Sequence, residues 1–180
     1  MKRLLLTSLL LLAATVVGAG EFETIKAKTF DKKKFVFPTD VRGSRLNVLF
    51  LAISADQDNG IYQQDLLLEW QAQLDQRDVF SEEVVAYHFP VLAGPPFFVK
   101  GIISRALKKS YDGKVPLDQA GVLFIDDLES FAAAADLSLD GEPTIVIADA
   151  DGKPLQAFKG EATLDAVEAL KAAIAELQAQ

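Results

Sequence analysis

The chain has 180 residues, a formal net charge of −8, no cysteine and one histidine. The missing cysteines exclude thiol catalysis, disulfide exchange, iron–sulfur clusters and cysteine-based zinc sites, and a single histidine excludes most imidazole-based metal centres. The acidic balance excludes a general nucleic-acid binder, which needs clustered Lys and Arg to neutralise phosphate.

Met1-Lys2-Arg3 is a positive start, followed by an uncharged apolar run from Leu4 to Val17 and the small residues Gly18-Ala19-Gly20. That is the layout of a secretory signal peptide, residues 1–19, with cleavage after Ala19. The run is shorter than the ~20 apolar residues a bilayer span needs. No Cys follows it, so a lipoprotein signal is excluded. The mature protein is expected to be exported, periplasmic or secreted. Loss of Lys2 and Arg3 moves its net charge from −8 to −10. Cysteine-free export is informative, because disulfides are available there and this chain uses none. Its core is large enough to need no covalent staple.

Residues 20–34 are mixed and charged, with "DKKK" at Asp31 to Lys34, and read as a flexible leader before one domain over 35–180. Pro38 and "DVRGSR" make a turn. "LNVLFLAIS", Leu46 to Ser54, is nearly continuous apolar, as expected of a strand covered on both faces. After the loop "SADQDNG", Ser54 to Gly60, a helical pattern runs to about Leu74 through Ile61, Leu67 and Leu68. "EVVAYHF", Glu83 to Phe89, is a second strand.

Pro95-Pro96 can begin a helix, where the missing N–H costs little, and Phe98, Ile102 and Ala106 recur at four-residue spacing. "AGVLFID", Ala120 to Asp126, is a third strand, and Leu128 to Asp136 a short Ala-rich helix. Pro143 to Asp149 and Pro154 to Gly160 flank an Asp-Gly pair, a hairpin signal because Gly accepts positive φ. Thr163 caps a last helix with Leu164, Val167, Leu170, Ala173, Ile174 and Leu177 on one stripe. Alternating elements closed by an antiparallel hairpin imply an α/β domain with a central mixed sheet and helices on both faces.

"GVLFIDDLESFAAAADLSLDGEPTIVIADADGKPLQAFKG" resembles the back half of thioredoxin-like proteins, in the branch holding peroxiredoxins and exported thiol oxidoreductases of cytochrome maturation. A strand ending in Asp126, a short helix, Pro143-Thr144, the Asp149 to Gly152 turn and Gly160 carry the likeness, which extends over about Arg45 to Leu177. The resemblance implies a thioredoxin-like fold with an inserted helix around residues 96–110. It implies a cis proline at Pro143, packed against the active site, and a redox cysteine in the turn after the first core strand. Here "SADQDNG" stands in that turn. A fainter resemblance, to assembly factors of the mitochondrial ATP synthase and their bacterial relatives, rests on "FPTDVRG", "LLLEW" and "FPVLAGPPFFVKGIISRAL".

The candidate ligand or partner groove is therefore Ser54, Asp56, Asp58, Asn59, Glu142 and Pro143. "DQDNG" fails the EF-hand spacing, since from Asp56 the glycine falls at position 5 and Leu67 at 12, and its Asp and Asn are turn and capping residues. Ser54 has no nucleophile elbow to pair with His88. Asp126, Asp127 and Glu129 read as a strand end and a helix cap. Phe98, Lys100, Arg105, Lys108 and Lys109 make a helix with apolar and basic faces, suited to an acidic partner or a membrane surface. The function these readings support is a non-redox binding or assembly module with a protein partner, no nucleic acid, no metal and no cofactor. The alternative is a cation-dependent or hydrolytic enzyme reusing the same groove.

Overall fold

The computed structural model describes residues 15–16 and 20–180. The signal-peptide reading lies outside the described residues except at Thr15–Val16, which form the two-residue strand β1. Strands β2 (Ile25–Lys28) and β3 (Lys34–Phe37) form an antiparallel hairpin of their own. The main chain order then runs β4 (Leu46–Ile53), α1 (Gln57–Asp75), β5 (Val84–Ala93), α2 (Phe97–Tyr111), β6 (Leu123–Ile125), α3 (Leu128–Ala134), β7 (Thr144–Asp149), β8 (Pro154–Lys159) and α4 (Leu164–Gln178). Strands β4 to β8 form a mixed sheet in the order β8-β7-β4-β5-β6, and β1 adds to it at the β8 edge. The three strands β4, β5 and β6 are parallel, whereas β7 runs antiparallel to both β4 and β8.

Every residue of β4 is buried, as its nearly continuous apolar run requires of a central strand, and the one polar residue, Asn47, accepts from Gly43 N–H and donates to the Asp149 carbonyl. The period of two divides it cleanly. Leu49, Leu51 and Ile53 face a core shared with the β2–β3 hairpin and α3. Leu46, Val48, Phe50 and Ala52 face a core shared with α1 and α4. A third cluster, with Phe30, Leu68, Tyr111 and Val122, seats the end of α2 beside the sheet.

Residues 20–34 differ from the expected flexible leader. Phe22, Ile25 and Phe30 are buried, and β2 pairs with β3 over four residues. The lysines hide a two-residue alternation in which Ile25 points inward while Lys26 and Lys28 face solvent. Phe22, Phe35 and Phe37 then form an aromatic floor with Phe89 and Phe131. The β7–β8 turn matches its sequence signal. Asp149 accepts from the backbone N–H of Asp151 and Lys153, each at 2.9 Å. Gly152 there has φ +82°, and a Cβ would lie 2.7 Å from Pro38.

His88 sits in β5, 1% exposed, stacked on Phe50 with ring centroids 4.4 Å apart. Its Nε2 lies 3.0 Å from the Gln71 side-chain oxygen, and its Nδ1 has no partner. That geometry suits the neutral ring, with Nε2–H donating to Gln71. Burial pushes the imidazole down from 6.5 to about 3. Below pH 6.5 the unfolded chain takes up a proton that the folded chain refuses, so stability is full above 6.5 and is lost as pH falls toward 3. Denaturant melts of wild type and His88→Leu between pH 7 and pH 4.5 should therefore differ in slope. Wild type loses on the order of 2–3 kcal/mol more, from two pH units at 1.36 kcal/mol each; equal slopes would refute the buried neutral imidazole.

Candidate functional site

At its carboxyl end β4 runs two residues past its partner on one side. Strand β7 pairs with β4 only as far as Leu51, opposite Thr144. Ile53 lies two residues beyond, and Gln63 of α1 satisfies it: the Gln63 side-chain oxygen accepts from Ile53 N–H at 2.9 Å, and its amide donates to the Ile53 carbonyl at 3.0 Å. The same amide donates to the Asn59 side-chain oxygen at 2.8 Å. Asn59 in turn donates from Nδ2 to the Gly141 carbonyl at 2.8 Å. One chain of amides thus ties together the end of β4, the first turns of α1 and the loop before β7.

The expected loop Ser54 to Gly60 is shorter than its composition suggests, because α1 begins at Gln57. Asp56 is the N-cap, accepting from the backbone N–H of Asn59 at 2.8 Å, and Gly60 N–H already bonds to the Asp56 carbonyl. Ser54 is buried. Its hydroxyl donates to the Asp56 carbonyl at 2.9 Å and accepts from Asp56 N–H at 3.1 Å. The hydroxyl is thereby part of a local turn. His88 pairs with Phe50 across β4 and β5, so it lies four residues, about 13 Å along the strand, from Ser54. The two do not form a catalytic pair.

A cleft of about 590 Å³ opens at this end of the sheet. Ile53, Ser54, Ala55, Asp56 and Asn59 form one wall, Asp127, Leu128 and Glu129 a second, and Leu139 and Gly141 a third. Asp127 caps α3 by accepting from Ser130 N–H at 2.7 Å, and that bond holds its carboxyl below the usual range. A second cavity, of about 510 Å³, lies between α1 and α2 and shares Ser54, Ala55 and Asp56 with the first. Of the six expected groove residues, Ser54, Asp56 and Asn59 line the cleft. Asp58, Glu142 and Pro143 line neither cavity.

The peptide bond before Pro143 is trans, contrary to what the resemblance implies. The one cis peptide among the described residues is Phe37–Pro38. The chain enters β7 through Gly141, at φ +84°, with Glu142 N–H on the Asp140 carboxylate and the Gly141 carbonyl on Asn59. That turn supplies the direction change, and Pro143 becomes a buried strand-start residue whose carbonyl accepts from Gly160 N–H.

On α2, the apolar face is largely exposed. Phe97 and Phe98 are 90% and 77% exposed, and Ile102 is 61% exposed. The inner face instead consists of Tyr111, which is buried, and partly buried residues such as Leu107. Lys100 packs its ammonium 5.2 Å from the centre of the Phe124 ring. Lys100, Arg105, Lys108 and Lys109 make no ion pair among the described residues. The sequence signal for the second cavity was weak, since Gln64, Asp65, Leu92 and Ser110 line it from three separate elements.

No family model matches the sequence, and no curated protein does. Solved structures do match. BsSco, a member of the Sco family of cytochrome c oxidase assembly proteins, aligns with a TM-score of 0.56 at 10% identity, over 91% of this chain and 96% of that one. Yeast Sco1 with copper bound aligns at 0.55 and 12%, over 88% and 92%. A SCO1/SenC family lipoprotein from Bacillus anthracis str. Ames aligns at 0.54 and 12%, over 92% and 99%. Identities this low show the fold, which is thioredoxin-like.

Two outcomes test the geometry. Asp56→Ala should cost about 1 kcal/mol through the lost cap, and calorimetric titrations with calcium, magnesium or manganese should be as flat as for wild type. Phe97→Ser with Phe98→Ser should change unfolding stability by no more than ~0.5 kcal/mol, whereas Phe131→Ala, fully buried, should cost ~3–5 kcal/mol.

Proposed function

We propose that this thioredoxin-fold chain is an exported binding or assembly module that docks a protein partner at the carboxyl end of its sheet and does no thiol chemistry. The observation that carries this reading is the open cleft at Ser54 to Asn59. It stands where the resemblance puts a redox cysteine, and its polar groups are committed to internal bonds rather than to a reaction. Supporting it are the exposed Phe97, Phe98 and Ile102 on the neighbouring helix, because large exposed apolar groups in a cluster mark interaction surfaces. Export is supported by Lys2-Arg3, the apolar run to Val17 and the small residues before Glu21.

The Sco relatives include a protein described as an assembly factor and one with copper bound. Assembly fits this chain; copper does not. Cu(I) selects thiolate and thioether ligands, whereas this sequence has no Cys and its one methionine is Met1. Its one imidazole is enclosed between Phe50 and Tyr111. Among the described residues no three His, Cys, Asp or Glu side chains are grouped to hold a metal. The hydrolytic alternative loses its support for the reason already given, that Ser54 and His88 are far apart along the strands.

Photo-crosslinking tests the reading. A benzophenone amino acid at Ala55, in the cleft, should trap a discrete partner in the compartment outside the cytoplasm. The same group at Glu176, near the end of α4 that meets Arg45 at the amino end of β4, should not. Equal products from both positions, or none from Ala55, would overturn the proposal. N-terminal sequencing of the exported protein should begin at Gly20; a retained Met1 on all of it would overturn export by cleavage. Insulin reduction should stay at the uncatalysed rate.

A further inference from the structure

The cleft and the cavity between α1 and α2 meet at Ser54, Ala55 and Asp56, so they lie end to end across one short stretch of backbone. Their apolar surface comes from Ile53, Leu128 and Leu139 on one side and Ile61, Leu92 and Ile102 on the other. Three of these, Ile61, Ile102 and Leu139, are 48%, 61% and 43% exposed. They are among the few large apolar side chains left open to solvent, and they flank the two openings.

The ionisable groups lining both cavities have one sign. Asp56, Asp127 and Glu129 line the cleft, and Asp56 and Asp65 line the second cavity; no Lys, Arg or His lines either. None of the four carboxylates is in an ion pair among the described residues. Asp56 and Asp127 cap their own helix N-termini and Glu129 lies in the first turn of α3, which leaves Asp65, in the middle of α1, without a helix N-terminus to offset it. A fatty acid or an anionic lipid headgroup would meet like charge here. An apolar ligand carrying positive charge meets opposite charge and an apolar wall together. Each cavity is the size of a small-molecule site, and two placed end to end suit a chain with successive side chains.

We propose that the two cavities form one trough for a short peptide segment of a partner, with an apolar side chain between α1 and α2 and adjacent Lys or Arg side chains over the carboxylates of the cleft. This rests on the binding-module reading and names the chemistry of what is bound. The cations of α2 do not oppose it, because Lys100, Arg105, Lys108 and Lys109 lie outside both linings.

Fluorescence anisotropy on the mature chain tests it, using a fluorescein-labelled octapeptide with Leu and Phe flanked by Lys, and the same peptide with Glu for each Lys. The cationic peptide should bind at least about tenfold tighter, with affinity falling as salt rises. Asp65→Asn with Glu129→Gln removes charge without touching either helix cap and should weaken binding about tenfold. Ile103→Asp, in the α1–α2 cavity, should weaken it by as much or more while circular dichroism stays that of wild type. Equal affinity for the two peptides, or an unchanged affinity in either variant, would overturn the proposal. Binding of the mature chain itself to phosphatidylglycerol vesicles with no peptide present, lost in Ile103→Asp, would also overturn it, by assigning the trough to lipid. If the Ala55 crosslink forms while the peptides bind equally, the binding module stands and only its ligand chemistry falls; if both fail, both fall.

Discussion

The side-chain amide of Gln63 does for the last residue of β4 what a neighbouring strand does for the others. A buried peptide group without a partner costs about 1–3 kcal/mol, and Ile53 would leave two of them. Because β7 pairs with β4 only up to Leu51, the sheet itself cannot satisfy Ile53. Gln63, fully buried, closes both bonds and passes a third to Asn59, which holds the Gly141 carbonyl. The cleft has rigid walls for this reason. Its sides belong to three distant parts of the chain, and the amide relay fixes the spacing of two of them.

A second buried polar arrangement lies further down the same strands. His88, Gln71 and Asp75 form a line in which Nε2–H of His88 meets the Gln71 oxygen, and the Gln71 amide meets Asp75 at 2.9 Å. Burial raises the Asp75 carboxyl while the Gln71 bond lowers it, with burial the larger effect. This line orients Gln71 and stacks the imidazole flat on Phe50, with 7° between the rings. It leaves Nδ1 without a partner between the rings of Phe50 and Tyr111. The consequence is structural: the one residue able to titrate near neutrality is held away from the cleft and kept neutral.

The sequence made some of this legible and concealed the rest for identifiable reasons. Strands such as Leu46 to Ile53 are visible because eight residues of which seven are apolar have few other uses in a domain of this size. The capping roles of Asp127 and Thr163 are visible because the residue types are those that accept from helix N–H groups. The β2 strand was hidden because Lys26, Lys28 and three further lysines mask an alternation of only four residues. The start of α1 was misplaced by three residues because Asp, Asn and Gly read as loop, although Asp56 caps a helix that then runs through Asn59 and Gly60. Gln63 and Gln64 look like a solvated face and are both buried. The stripe Phe98, Ile102, Ala106 has helical spacing, but spacing alone does not say whether the apolar side meets the protein or something outside it.

The two helix caps set the electrostatics of this end of the fold. A helix N-terminus favours negative charge, and a thiolate at that point would be stabilised by it. Here α1 and α3 both begin at the cleft, and each is capped by its own carboxylate, Asp56 and Asp127. Each cap already holds one backbone donor, Asn59 N–H in α1 and Ser130 N–H in α3. An incoming anion meets these two carboxylates, with Asp65 and Glu129 nearby. The same geometry that would hold a thiolate in place becomes, with carboxylates in its stead, a surface that repels anions and attracts cations.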